Sequence, residues 1–587
     1  MLVFSLLLAA AAGRDTSYFQ QHVDYRIEAH LDEQADLLDG RLRLEYRNNA
    51  PAAIDTLWFH LHLNAFRPHS AWAQRELQFG ERRFTDLGPD EHAFERVRRI
   101  RIGDRTITPV YPGAPDSTVM GVPLPRAVPS GGAVTVDIEW QARPSTTPRR
   151  QGRRGRHYDF AQWYPRMAVY DRGGWQVQPL MPQGEFYGEF GSYDVTLDIR
   201  ADQVMGATGV PVEGDPGWAS AAAAGAQPRL RRDAYAPRPA VRLGLLAGRP
   251  ARGRKHVRWR AERVHHFAWS TSPEYIYEGG AHRDIAVHVL YQPGDTAWDD
   301  GVAVNRTSAA LRWYEEIFGP FPWPQITNVH RIEPGGTEFP MMVMDGSASE
   351  GLILHEVGHN FAHGILANNE WREGWLDEGF VSYLTNWALE AAGRPVSWEQ
   401  SLNRIRELER TGETQPIALP SAEFRDFAMY NAMTYTKPSL VFRMLHWLIG
   451  DEAFRAALRR YYEEKRLEHV TESDLRAAVN AVSAVGVDWF FDQWIHTTGT
   501  LDYRIGELST WQADDGRWIA RVEVIREGDI SMPVDIRVGD SVQRLTSRAA
   551  RQVVLLRTPA RPAAATLDPE NILIDLNPAN NTKDFPR

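Results

Sequence analysis

Between Tyr18 and Trp269 apolar and polar residues alternate in short runs. HVDYRIEAHL, GRLRLEYRNN, AVTVDIEW and YDVTLDIR each put every second side chain on one face and then meet turn residues. That is the pattern of half-buried strands. From about Ser270 the pattern changes. Between Val302 and Gly499 apolar positions recur at helical spacing, as in NRTSAALRWYEEIFG and DEAFRAALRRYYEEKR. After Thr500 alternation returns in RWIARVEVIREG and ENILIDLNP, and this tail of about 87 residues suits a small β-sandwich. No stretch repeats another. The chain therefore reads as multidomain α+β. A β domain, sandwich or saddle, is expected over 14–269, an α-rich domain over 270–500 and a C-terminal β-sandwich over 501–587.

Two stretches interrupt the N-terminal pattern. RPSTTPRRQGRRGR, from Arg143 to Arg156, holds six arginines among Pro, Gly, Ser and Thr. It lacks interleaved aromatics, so it reads as a solvated loop rather than an anion site. GWASAAAAGAQPRLRR, from Gly217 to Arg232, reads as a small-residue surface excursion.

Composition narrows the picture. Of 587 residues, 43% are hydrophobic and 24% charged, which is ordinary for a globular protein. A formal net charge of −10 argues against nucleic acid as a partner. There is no cysteine, hence no disulfide framework, thiol chemistry or lipidated cysteine. The N-terminal run from Leu2 to Ala12 is too short to span a bilayer, and it resembles the apolar region of a signal peptide over 1–13. Export is the expectation. A cytoplasmic location is the alternative, because no basic residue precedes the run. No later segment suits stable membrane insertion.

Chemistry concentrates in LHEVGHNFAHGILANNEWREGWLDEGF, from Leu354 to Phe380. His355 and His359 fit one helix, where four residues of about 100° each leave them about 40° apart on one face. Glu356 lies beside them. The helix should weaken across Ala367–Gly374, and a second should run from about Trp375 to Ala392 with Glu378 in its first turns. Folded together, the helices would present His, His and Glu to one ion with a fourth position open, the pattern of a catalytic zinc site. With 19 histidines in 587 residues, H-E-x-x-H arises by chance only about 0.04 times in such a chain. His363 is a turn further on, off the spacing of a third histidine ligand, and suits packing or an outer hydrogen bond.

H-E-x-x-H followed by Glu in W-L-D-E-G-F resembles the gluzincin aminopeptidases of the alanyl aminopeptidase and leukotriene hydrolase family. RIEPGGTEFP, from Arg331 to Pro340, resembles that family's Gly-x-Met-Glu-Asn motif, in the G-G-x-E-[YF]-P form of some bacterial members. TYTKPS resembles its Tyr-x-Lys-Gly element, and DWFFDQWIHTTGTLDY resembles the end of its catalytic domain. The likeness runs from DTLWFHLHLNAF to ILIDLNPANN. It implies a thermolysin-like catalytic domain with one zinc ion per chain, bound by His355, His359 and Glu378. It also implies Glu356 as the general base acting with zinc on water, Glu338 as the holder of a substrate's free α-amino group, Gly335 and Gly336 for close approach of the peptide, and Tyr435 as hydrogen-bond donor to the oxyanion. Thr337, Phe339, Asp377 and Pro438 depart from the family's Met, Asn, Asn and Gly. The expected function is removal of the first residue from peptides with a free N-terminus. A thermolysin-like endopeptidase is one rival, and a non-catalytic peptide-binding protein on the same fold is the other.

Overall fold

A computed structural model describes residues 18–218 and 253–586. The expected leader at 1–13 and most of the 217–232 excursion lie outside the described residues. The N-terminal part is built on an eight-stranded sheet. Its order is Val210–Glu213, Arg254–Val264, Gly191–Arg200, His22–Asp32, Leu37–Arg47, Ala133–Arg143, Phe94–Ile102 and Arg105–Thr106. Alternation sets its register. Val23, Tyr25, Ile27, Ala29 and Leu31 are all buried on one face. Ile27 pairs with Leu42 on the antiparallel neighbour and with Val195 on the parallel one. Slipping one strand by a residue would turn that whole row outward. Shorter sheets face the same core, one of them ordered Val204–Ala207, Trp269–Ser272, His157–Phe160 and Gly152–Arg154. The Trp269 ring stacks on Phe160 at 4.2 Å.

The Arg143–Arg156 segment is not the solvated loop its composition suggests. It folds back as a hairpin, Gly152–Arg154 against His157–Phe160. Most of its guanidiniums find acids from distant segments. Arg153 meets Asp36 at 2.5 Å, Arg156 meets Glu33 at 2.5 Å and Asp202 at 2.8 Å, and Arg149 lies 3.6 Å from Glu333. Those partners are invisible in the local composition.

The region read as helical also contains a five-stranded sheet, ordered Ile276–His282, Ile285–Tyr291, Gln325–His330, Met342–Asp345 and Glu338–Phe339. Two of its inner strands, Gln325–His330 and Met342–Asp345, are short and buried on both faces, so they carry no alternation to read. The helix Val302–Ile317 crosses over between two parallel strands. Beyond the sheet the chain is helical as expected, with Glu350–Ala362, Glu378–Ala391, Trp398–Arg410, Lys437–Ile449, Asp451–Lys465 and Glu472–Val482 as the main elements. Phe380 stacks on Phe442 at 4.7 Å, and Tyr314 on Phe361 at 5.5 Å. The C-terminal part has two sheets. One is Tyr503–Gln512, Trp518–Arg526 and Arg551–Thr558; the other is Ser541–Leu545, Val534–Val538, Ala564–Leu567 and Thr582–Asp584. Arg406 ties this part to the helices by donating to the Asp575 carbonyl at 2.7 Å and to Asn571 Oδ1 at 2.8 Å.

Candidate active site

The helix Glu350–Ala362 starts at Ser349, whose hydroxyl accepts from the Leu352 N–H at 3.3 Å. It carries His355, Glu356 and His359. The chain leaves through a short strand, Leu366–Asn368, and two short turns. It then enters the helix Glu378–Ala391, so Glu378 opens that helix. A carboxylate there is favoured by the helix dipole.

Three donor atoms converge. His355 Nε2 lies 3.0 Å from His359 Nε2 and 3.2 Å from Glu378 Oε2, and His359 Nε2 lies 3.3 Å from the same oxygen. Tetrahedral ligands about 2.0–2.1 Å from a zinc ion stand about 3.3 Å apart. His359 Nδ1 donates to Asp377 Oδ1 at 2.6 Å, which leaves the Nε2 lone pair facing the other two donors. A lone pair aimed at a carboxylate oxygen is repulsive unless a cation lies between them. Electrostatics agree that the pocket calls for positive charge. Burial opposes charge on His359, yet the Asp377 and Glu378 carboxylates push its pKa well above the imidazole range. Burial would raise Glu378, yet the two imidazoles hold it well below the usual carboxylate range. The residues present fit a divalent metal ion.

Glu356 is buried beside this set, and its Oε2 has no hydrogen-bond partner among the described residues. Burial, with Glu338, Asp345 and Glu378 nearby, pushes its pKa well above the carboxylate range. The carboxyl packs against Gly336, where a Cβ would overlap it, and Gly335 takes φ +81°, a left-handed conformation. Glu338 sits on the edge strand of the five-stranded sheet, buried, with no hydrogen bond to Oε1 among the described residues. Tyr435 lies in a π-helical turn, Ala432–Thr436, and its hydroxyl donates to Glu378 Oε1. Pro438 falls in the first turn of the next helix, where a missing N–H costs nothing. His363 is buried and stays out of the donor set, with Nδ1 2.8 Å from Glu370 Oε1 behind Asp377.

All eight residues singled out from the sequence converge on this pocket. Three more belong to it. Asp377 orients His359, and its only signal was its place in W-L-D-E-G-F. Arg150 and Glu185 form a buried ion pair against Glu338; Arg150 belongs to the arginine-rich segment whose composition suggests a solvated loop, and nothing near Glu185 in the sequence marks it.

Residues 342–494 match the Peptidase family M1 domain. The chain is 26% identical over 242 residues to an alanine/arginine aminopeptidase of Saccharomyces cerevisiae, covering 37% of this chain and 28% of that protein. It is 26% identical over 156 residues to an aminopeptidase N of Streptomyces lividans, covering 25% and 18%. The matched stretch thus spans about a quarter of the length of such relatives or less. Among solved structures, Legionella pneumophila aminopeptidase A in complex with aspartic acid superposes with a TM-score of 0.63 at 13% identity, over 94% of this chain and 59% of that one. A point mutant of an M1 zinc metallopeptidase from Deinococcus radiodurans superposes with a TM-score of 0.54 at 14% identity, over 81% and 94%. The fold is the multidomain α+β fold of those structures, and the stretch that matches the peptidase family M1 domain, 342–494, holds His355, Glu356, His359, Glu378 and Tyr435.

Proposed function

We propose that this protein is a zinc-dependent aminopeptidase that removes the first residue of peptides with a free N-terminus. One observation carries the exopeptidase part: the buried Glu338 carboxylate, on an edge strand beside the His355, His359 and Glu378 donors, keeps an oxygen with no hydrogen-bond partner among the described residues, with Arg150 no closer than 4.0 Å. A substrate ammonium is a fitting partner for it, through a charge-assisted hydrogen bond. His355, His359 and Glu378 hold the zinc, and Glu356, one residue along the helix, is left unligated. Zinc bound there would polarise the scissile carbonyl and acidify water. Glu356 then takes the proton of the attacking water at its free carboxyl oxygen and delivers it to the leaving amine. A carboxyl whose hold on a proton is strengthened by burial is suited to both transfers. The edge segment 335–339, which ends in the strand Glu338–Phe339, gives an extended peptide backbone groups to pair with. The Tyr435 hydroxyl, beside Glu378, donates to the oxyanion.

This reading keeps the division into 14–269, 270–500 and 501–587. It takes 1–13 as the leader of an exported protein, which N-terminal sequencing of the mature chain tests. No helix among the described residues is long and apolar enough to cross a membrane.

The activity test pairs each peptide with its N-acetylated twin. Free-amine peptides should be trimmed from the N-terminus and acetylated ones resisted. Mid-chain cleavage of blocked peptides at equal rates would make the protein an endopeptidase instead.

A further inference from the structure

The Arg143–Arg156 segment sends one guanidinium into the active site. Arg150 is 5% exposed and forms an ion pair with Glu185, itself 5% exposed. Its NH1 stands 4.0 Å from Glu338 Oε1, and its guanidinium lies over the Phe186 ring at 4.8 Å. Phe186 in turn stacks on Phe339 at 5.5 Å. The position is held firmly. Arg150 takes φ +58°, a conformation a non-glycine residue adopts only where its surroundings enforce it. Its N–H donates to Glu333 Oε2 at 2.7 Å.

This arrangement divides two buried carboxylates. Glu185 is neutralised by the guanidinium. Glu338 Oε1, 4.0 Å from the same guanidinium, has no hydrogen-bond partner among the described residues and can take one ammonium. The side chain of a substrate's first residue leaves the same carbon that bears that ammonium. It therefore begins within a few ångströms of Arg150, with the Phe186 and Phe339 rings as an apolar wall beside it. A second positive charge on that side chain would meet the guanidinium in a buried site, where charges are weakly screened and like charges cannot be separated by water. Neutral and acidic side chains meet no such repulsion.

We propose that Arg150 is a specificity-determining residue that excludes lysine and arginine from the first position of the substrate and admits neutral or acidic residues there. The inference rests on the aminopeptidase reading, and the test separates the two. Glu356→Gln protein, with turnover stalled, is titrated by calorimetry with Leu-Ala-Ala, Asp-Ala-Ala, Lys-Ala-Ala and N-acetyl-Leu-Ala-Ala. Leu- and Asp-first peptides should bind at least about tenfold more tightly than the Lys-first one. Adding Arg150→Gln should close most of that gap, and Arg150→Lys, which keeps the charge, should preserve it. Lys-first binding equal to Leu-first in protein with Arg150 intact overturns the proposal whether or not the Arg150 variants fold. So does an unchanged gap in Arg150→Gln. A failure of the aminopeptidase reading looks different: the acetylated peptide would bind as tightly as its free-amine twin.

Discussion

Tyr430 and Tyr435 lie side by side, ring centroids 6.0 Å apart and nearly perpendicular, yet they are not equivalent. The Tyr435 hydroxyl reaches Glu378, whereas the Tyr430 hydroxyl is buried without a hydrogen-bond partner among the described residues. A donor aimed at developing charge stabilises the transition state more than the bound substrate. Tyr435→Phe should therefore lower turnover about 10²–10³-fold with little change in KM, by comparison with loss of one oxyanion donor. Tyr430→Phe should cost less. Steady-state kinetics of both variants, with bound zinc measured alongside, decide between the two. A collapse in Tyr430→Phe with near-normal Tyr435→Phe would put the donor on the wrong ring. At this scale the sequence revealed residues whose chemistry lies in a short local pattern. His355, Glu356, His359 and Glu378 qualify because one helix pair sets their spacing. Arg150 and Glu185 do not, because their meeting depends on folding of segments far apart in the chain.

Elements show the same division. The helices Glu350–Ala362 and Glu378–Ala391 were legible because the His-Glu-x-x-His spacing and the later Glu378 need one helical face each to meet at one ion. The strands Gln325–His330 and Met342–Asp345 were not, because burial on both faces removes the alternation that marks a strand. Those strands matter to the site, since they support the edge segment that brings Gly336 against the Glu356 carboxyl. A methyl group at Gly336 has no room unless that carboxyl moves. Gly336→Ala should reduce kcat/KM by about 10²-fold, the scale of a 1 Å misplacement of a catalytic group. Bound zinc and melting temperature should stay close to wild type, because no metal ligand is displaced. Unchanged kinetics in Gly336→Ala would mean that the edge segment does not fix the position of Glu356.

Across the whole molecule the order of β, α-rich and β regions followed from periodicity alone, whereas the ties between regions did not. One such tie is Asp575. Its carboxylate accepts from the Tyr503 N–H at 2.9 Å and the Asn577 N–H at 3.0 Å, and its carbonyl receives Arg406. Burial raises its pKa from 3.8 to about 6, against the pull of those two N–H donors. A carboxyl raised on folding stabilises below its unfolded pKa, and that contribution is lost as pH rises through the folded value. Asp575→Asn cannot titrate. The stability of wild type relative to this variant should therefore fall between about pH 4 and pH 6, by up to about 3 kcal/mol, and then level off. Parallel melting curves across that range would show that Asp575 is not held in the buried state described. The central claim is that the two helices of the α-rich region present three ligands to one zinc ion and leave Glu356 unligated. Metal analysis of purified wild-type, His359→Ala and Glu356→Gln protein tests it most directly. The account predicts one zinc per chain in wild type and in Glu356→Gln, with turnover abolished in the latter, and almost none in His359→Ala. Zinc lost from Glu356→Gln but retained by His359→Ala would contradict it.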